Sequence, residues 1–465
     1  MTTRVTTEMR RPHGLWSSSW IFVLAASTAA VGLNNFWQFP LLAGEHGGAA
    51  FIIVYFIFVL LLAFPLMVAE VLIGRIGRKS PVYSLHLISL HFKSTPLWSL
   101  LGWLSIITIL LLLASLSVVG GWVIAYFVRS SAGVFSGLTE SGVNSIFYQF
   151  VEDPEKQLFW LGFFVFMTTA VVARGLKGGL QPMIKYAAPA LFLLMLVLLV
   201  YSIVYGDFVD AANYFLYPDF SRLKVEGIIK AFTHAFFSLG VGIGVMLMYG
   251  AFLKEEASIP RLSLYTAGID TIIGIVAGLI IFSILFATGI EVGSHADLIF
   301  RKVPLALEEM KFGQVATAVF YATLLLVVWL SAVALIEPVM SFVVEKWEAR
   351  RFNAAIYSGL VVWVLGIIMI MSFSAWKFTF SINLLGISQK LGIAGIVQVL
   401  TSSILIPASA MLYSLYAGWV IHPSVSRDML KFSSSCTFAL WLWSIRVVIP
   451  VLLALVIYYN HKLFL

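Results

Sequence analysis

The feature that most constrains this chain is an interruption. Ala29-Ala30-Val31-Gly32-Leu33-Asn34-Asn35-Phe36-Trp37-Gln38-Phe39-Pro40 lies inside an apolar run, near 16–41, long enough to cross a membrane. Gly32 lowers helix propensity, and the adjacent amides of Asn34 and Asn35 compete for backbone hydrogen bonds. In lipid, backbone groups freed in this way are tolerated only where they line a protected or wet cavity. A polar break at mid-membrane depth therefore predicts a binding site on a discontinuous helix.

Further apolar stretches follow near 49–73, 98–127, 158–174, 183–205, 227–252, 264–289, 313–345, 355–373, 395–421 and 438–459. With the first they make eleven expected spans. The composition agrees: 61% of residues are hydrophobic, 11% are charged, and the mean hydropathy is +0.99. A water-soluble domain of 465 residues needs more polar surface than that, so the expected class is an all-α polytopic membrane protein in contact with the lipid bilayer.

The formal charge of +7 reflects 29 Lys and Arg against 22 Asp and Glu. The positive-inside rule accounts for it without nucleic acid. Arg4, Arg10 and Arg11, then Arg75, Arg78, Lys79 and Lys93, then Arg174, Lys177 and Lys185 fall in alternate connections. So do Lys254 and Arg261, Lys346, Arg350 and Arg351, and Arg427 and Lys431. This places the N-terminus in the cytoplasm and the C-terminus outside a cell (inner) membrane. The opposite connections are acidic or mixed (Glu140, Glu152, Asp153, Glu155, Asp207, Asp210, Asp219), with Arg301, Lys302 and Lys311 as the exception. The first apolar stretch is too long for the core of a cleavable leader. Cys436 is the single cysteine, which leaves no internal disulfide framework and no multi-cysteine metal site. The eight histidines are dispersed, and neither a nucleotide loop nor an organised Ser/His/Asp set is present, so an enzyme is not expected.

A second break interrupts the sixth stretch at Phe237-Ser238-Leu239-Gly240-Val241-Gly242-Ile243-Gly244. Close helix packing through small residues is the alternative reading of those glycines. Breaks five spans apart fall on opposite sides of the membrane, which is the pattern of a five-plus-five inverted repeat. The expected organisation is a cytoplasmic tail at 1–15, a first repeat at 16–205, an extracellular loop at 206–226, a second repeat at 227–421 and a last span at 438–459.

Several ordered motifs carry a resemblance. They are Gly32 to Pro40, Gly44-Glu45-His46-Gly47-Gly48-Ala49-Ala50-Phe51, Pro65 to Arg75, Val118-Val119-Gly120-Gly121-Trp122, Phe236-Phe237-Ser238-Leu239, Glu337-Pro338 and Gly418-Trp419-Val420. Over nearly its whole length the chain resembles bacterial members of the neurotransmitter:sodium symporter family. The resemblance implies secondary active symport by alternating access, with Na⁺ as the co-transported ion, a small-molecule substrate, and no counterpart of the family's twelfth span. Its oligomeric state is left open between a monomer and a homodimer.

The resemblance also assigns sites. A first sodium site falls on Ala30, Asn35, Ser238 and Asp270, whose oxygens suit a hard cation. Asp270 lies within an apolar span and is either an ion ligand or a solvated acid near the span's end. Where chloride-dependent relatives place a Ser, this chain has Gly274, and His234 replaces a nearby Gln, so no chloride site is assigned. A second sodium site falls on Thr28, Val31, Val327 and Ser331. It is weakened, because Leu330 stands where a Thr hydroxyl belongs; Thr28 brings a hydroxyl able to compensate.

The implied substrate pocket comprises Ala30, Leu33, Asn34, Leu112, Leu116, Phe237, Gly240, Ile243, Ser331 and Leu335. It departs from amino-acid-transporting relatives in two places. Leu116 replaces a carboxylate-binding Tyr, with Ser115 and Ser117 beside it, and Asn34 replaces a Gly, where it either crowds the carboxylate or binds another polar group. An α-amino acid, a modified amino acid, an osmolyte and an amine all stay open. The outer gate, an Arg–Asp pair in relatives, becomes Gln38 and Gln398, two amides able to bond each other. The inner gate falls on Arg11, Trp16 and Glu345. Glu70 and Glu337 are expected as buried scaffolding, Glu70 bracing the broken first helix. Against the symporter stands a transport-impaired sensor or regulatory membrane protein that keeps the fold.

Overall fold

The structure is a computed structural model, and it describes residues 14–292, 295–376, 379–384 and 387–463. The predicted stretches form helices. The first is a bent pair, α1 (Ser19–Ala30) and α2 (Gln38–Glu45), joined through a 3-10 turn over Leu33–Asn35. Long single spans follow: α3 (Ala49–Gly77), α5 (Ser99–Ser131), α6 (Pro154–Ala173) and α7 (Leu176–Tyr205), with α4 (Pro81–His91) a short connecting helix. The sixth stretch is α8 (Val225–Ser238) and α9 (Val245–Ala251). Then come α10 (Ile259–Thr288), α11 (Gly313–Trp347), α12 (Arg351–Phe373), α13 (Ile393–Val420) and α14 (Ser435–Tyr458). Among the described residues nine helices are long and apolar enough to cross a membrane, and the bent pair adds one. The α8/α9 stretch does not pass that length test, because its break divides it into segments of 14 and 7 residues.

Both expected breaks are present. The α1/α2 pair bends by 72°. At the sixth, Gly240, Gly242 and Gly244 take φ of +60°, +84° and +80°, a region that only glycine enters freely. This favours a true break over a packing stripe. A Cβ on Gly242 would also stand 2.9 Å from the Ile406 carbonyl oxygen of α13. The first ten spans thus fall into two consecutive sets of five, each opening on a broken span.

The longest helices, α5 and α11, pack along each other, and α6 and α12 lean on them. The Glu337 carboxylate, fully buried on α11, receives Nη2 of Arg351 at 2.8 Å to both oxygens, with Ser341 Oγ at 3.2 Å. A buried acid left without such a partner would carry a large desolvation cost. Glu337 is therefore scaffolding, as expected.

The basic face has more order than a solvated loop. Arg75 Nη1 donates to the Ala257 carbonyl at 2.6 Å and Arg78 Nη1 to that of Ala251 at 3.1 Å, so these arginines clamp the chain that leaves α9. On the opposite face, two of the exceptional cations are paired. Arg301 meets Asp297 at 2.8 Å and Lys302 meets Glu140 at 2.9 Å. The hydrogen bond and charge of Lys302 hold the exposed Glu140 carboxyl below its usual range.

One element departs from an all-helical reading. Strands β1 (Phe380–Leu384) and β2 (Ile387–Leu391) pair antiparallel between α12 and α13, with Phe380 opposite Leu391. The apolar/polar alternation of β1, Phe380-Ser381-Ile382-Asn383-Leu384, is its strand signal; β2, Ile387-Ser388-Gln389-Lys390-Leu391, carries none.

Candidate functional site

The two breaks meet. A Cβ built on Gly240 would stand 3.6 Å from the Ala29 carbonyl oxygen and 3.9 Å from Ala30 Cα. Between them lies a buried cluster of oxygen groups. Asn35 Nδ2 donates to Asp270 Oδ1 at 3.0 Å, and its Oδ1 accepts from the Gly32 N–H at 3.1 Å. Ser238 Oγ donates to Asp270 Oδ2. Tyr55, on α3, joins Ser238 Oγ at 2.7 Å and donates to Asp270 Oδ2 at 3.3 Å. Asp270 is fully buried and its carboxylate is in no ion pair among the described residues. The solvated alternative for Asp270 is thereby excluded. Converging oxygens around one uncompensated negative charge suit a hard monovalent cation.

Asn35, Ser238 and Asp270 are thus brought together, and Ala30, the last residue of α1, where helical carbonyls lose their partners, lies against Gly240 of the second break. Tyr55 is the member that sequence reasoning missed. Phe39 shows why this corner of the site is aromatic. Its ring packs 5.0 Å from Tyr55 and 5.6 Å from the His234 ring. A Cβ on Gly274 would meet Phe39 Cδ1 at 2.9 Å, so a Ser at that position would collide with the ring.

The second set converges on Ser331. Its hydroxyl lies 2.8 Å from the Val31 carbonyl, 2.9 Å from that of Val327 and 3.4 Å from that of Thr28. These are the end-of-helix carbonyls of α1 and one carbonyl of α11, tied by a side-chain O–H. Leu330 is buried and brings no oxygen. The Thr28 hydroxyl does not compensate: it donates to Leu24 O at 2.8 Å and Ala25 O at 3.1 Å within its own helix.

Of the expected substrate-pocket residues, Ala30, Leu33, Ile243 and Ser331 are buried, and Leu112, Leu116, Phe237, Gly240 and Leu335 are half-buried. Asn34 is exposed, and its Oδ1 accepts from Trp37 Nε1 at 2.9 Å. Asn34 is thus tied to an indole of its own segment. At the outer gate, Gln38 is half-buried and Gln398 exposed, and their side-chain amides are not bonded to each other. The expected amide–amide bond is not formed in this structure.

At the inner gate, Trp16 is fully buried. Its Nε1 donates to the Tyr249 carbonyl at 3.0 Å, and its ring packs edge-on against Tyr249 and Phe252 at 5.4 and 5.5 Å. Glu345 accepts from the Ser80 N–H at 3.1 Å and from the Ser80 hydroxyl. Arg11 lies outside the described residues. Glu70, expected to brace the first helix, accepts instead from the Gly242 N–H and so braces the sixth. The reason is geometric: Gly242 turns its amide out of the helical ladder, and α3 packs against that segment.

The comparisons agree with this geometry. The family model described as "Sodium:neurotransmitter symporter family" matches residues 13–136 and 156–464. The chain is 29% identical over 446 residues to an uncharacterized sodium-dependent transporter, YhdH, of Bacillus subtilis (strain 168), covering 95% of this chain and 96% of that one. It is 25% identical over 360 residues to a sodium- and chloride-dependent taurine transporter of Homo sapiens, covering 67% of this chain and 57% of that one. The crystal structure of MhsT in complex with L-phenylalanine superposes with a TM-score of 0.83 at 30% identity, covering 95% of this chain and 98% of that one. Two broken spans that bring an unpaired acid, an amide and two hydroxyls together belong to a transporter rather than an enzyme, and the chain is a member of the Sodium:neurotransmitter symporter family.

Proposed function

We propose that the chain is a sodium-coupled symporter that imports a small organic solute, amino acid or amino-acid-like, by alternating access. The observation that carries this reading is the Asn35–Ser238–Asp270 cluster at the meeting of the two breaks. Na⁺ displaces the internal hydrogen bonds and takes the Ala30 carbonyl, Asn35 Oδ1, Ser238 Oγ and an Asp270 oxygen. Asp270 supplies the negative charge, so transport proceeds without chloride. The second set works without an ion: the Ser331 hydroxyl ties α1 to α11, and one Na⁺ moves per cycle.

The substrate is a zwitterion with an apolar side chain, its carboxylate held by the sodium and by the N–H groups of the first break. Leu33, Leu112, Phe237, Ile243 and Leu335 support the apolar part. The L-phenylalanine complex of MhsT supports the amino-acid class. The taurine transporters among the relatives favour a second reading, a small zwitterionic osmolyte. The sensor alternative has no support from relatives that are named as transporters. The chain lies in the cell membrane with its N-terminus cytoplasmic, the basic connections being the support.

The test is uptake into proteoliposomes under an inward sodium gradient, after a thermal-shift screen of amino acids, amines and osmolytes with and without sodium. Sodium-driven accumulation with a Hill coefficient near one is expected. Ligand binding without flux would overturn the symporter, and a coefficient near two would overturn the single ion.

A further inference from the structure

A second cavity lies away from the breaks. It has a volume of about 650 Å³ and sits between α5, α11 and α12 at the basic face. That volume is within the range of built ligand sites, roughly 300–1,000 Å³. Its lining is graded. Trp103, Trp347 and Tyr357 stand at the mouth, where the helices begin or end, and all are exposed. Leu110, Val339 and Val361 line the part farther along the helices from the basic end; Val339 is buried, Leu110 half-buried and Val361 exposed at the open side. Between them Ser358 lines the cavity, is 2% exposed, and its Oγ has no hydrogen-bond partner. An orphaned hydroxyl buried beside apolar groups carries a desolvation cost that an acceptor from an occupant would relieve.

The mouth also carries charge. Lys346, in the last turn of α11, and Arg350, just before α12, are exposed; they neighbour the cavity-lining Trp347 and Ala349 in sequence and make no ion pair among the described residues. Lys79 lies 5.6 Å over the Tyr83 ring, which packs on Phe342 of the cavity wall. Of the acids at this end, Glu345 is engaged by Ser80, and Glu348 is exposed. Cations at the rim, aromatic rings at the belt, one acceptor-seeking hydroxyl below them and aliphatic residues at the base form the polarity profile of a lipid, from head group to chain.

We propose that this cavity binds one anionic phospholipid of the leaflet on the basic face. Its head group lies over Lys346 and Arg350, an ester carbonyl accepts from Ser358 Oγ, and one acyl chain fills the space between Leu110, Val339 and Val361. The bound chain wedges α12 against the α5–α11 pair.

Native mass spectrometry of the purified full-length protein tests it. The detergent-solubilised protein is titrated with phosphatidylglycerol, with phosphatidylcholine of the same chains, or with oleic acid. One phosphatidylglycerol is expected to be retained in preference to the other two. Lys346→Gln with Arg350→Gln, both at exposed positions, is expected to weaken that retention by about fivefold per cation removed. Val361→Trp, which fills the cavity, is expected to abolish it. Equal retention of phosphatidylglycerol and phosphatidylcholine, equal retention of oleic acid, or retention unchanged in the double surface variant would each overturn the proposal. The surface variant keeps the test decisive should Val361→Trp fail to fold.

Discussion

The two oxygen clusters at the first break are built from similar parts and differ in charge. Each joins the end of α1 to a distant helix: Asn35 reaches Asp270 on α10, and the Val31 carbonyl reaches Ser331 on α11. The first holds a buried carboxylate in no ion pair among the described residues, which under the proposed symport calls for an external cation. The second offers only neutral oxygens, and a hydroxyl proton already occupies their centre. What binds an ion in a buried place is therefore uncompensated charge, not the number of oxygens alone.

The largest test of that contrast is Asp270→Asn. Removing the charge while keeping an oxygen should lower apparent sodium affinity by about a hundredfold, an effect of the size of a charge-assisted bond lost in a buried site. Sodium titration of uptake reads it, and an unchanged affinity would remove Asp270 from the ion site. Leu330→Thr attacks the contrast from the other side. A second hydroxyl beside Ser331 should let a second Na⁺ enter and move the Hill coefficient from near one toward two. Ser331→Ala should leave the coefficient near one but lower the thermal stability by about 1–2 kcal/mol, since buried carbonyls lose their donor. If it instead abolished sodium dependence, the second region would be an ion site after all. The smallest effect is expected of Tyr55→Phe. Its hydroxyl orients Ser238 and Asp270 without carrying charge, so its loss should weaken sodium about fivefold, close to one neutral hydrogen bond.

The sequence made the frame of this molecule readable, because length and apolarity alone define spans. Polar residues inside those spans, Asn35, Ser238 and Asp270, marked the site for the same reason. What stayed hidden were partnerships across the fold. Tyr55 lies in an unbroken apolar run, where a phenol reads as one more large side chain. Glu70 was visible as a brace, yet nothing in its own segment indicates that it serves Gly242 of the sixth span rather than the first. Asn34 stood out as a departure, but its capture by Trp37 depends on the 3-10 turn that places the two within reach. Thr28 offered a hydroxyl whose direction only helical geometry decides, because a Thr in a helix bonds back to the preceding turn. In the β1–β2 hairpin only β1 alternates, over five residues, a signal too short to stand out among long apolar spans.

Trp16 carries one consequence forward. Its indole is sealed against Tyr249 and Phe252, with no solvent contact. Any rearrangement that parts the start of the chain from α9 hydrates that aromatic surface, and hydrating apolar surface raises the heat capacity. A step of the cycle that opens this face must then have an enthalpy that changes with temperature. Its rate, plotted against inverse temperature, will bend rather than run straight, and shrinking the ring at position 16 will flatten the bend.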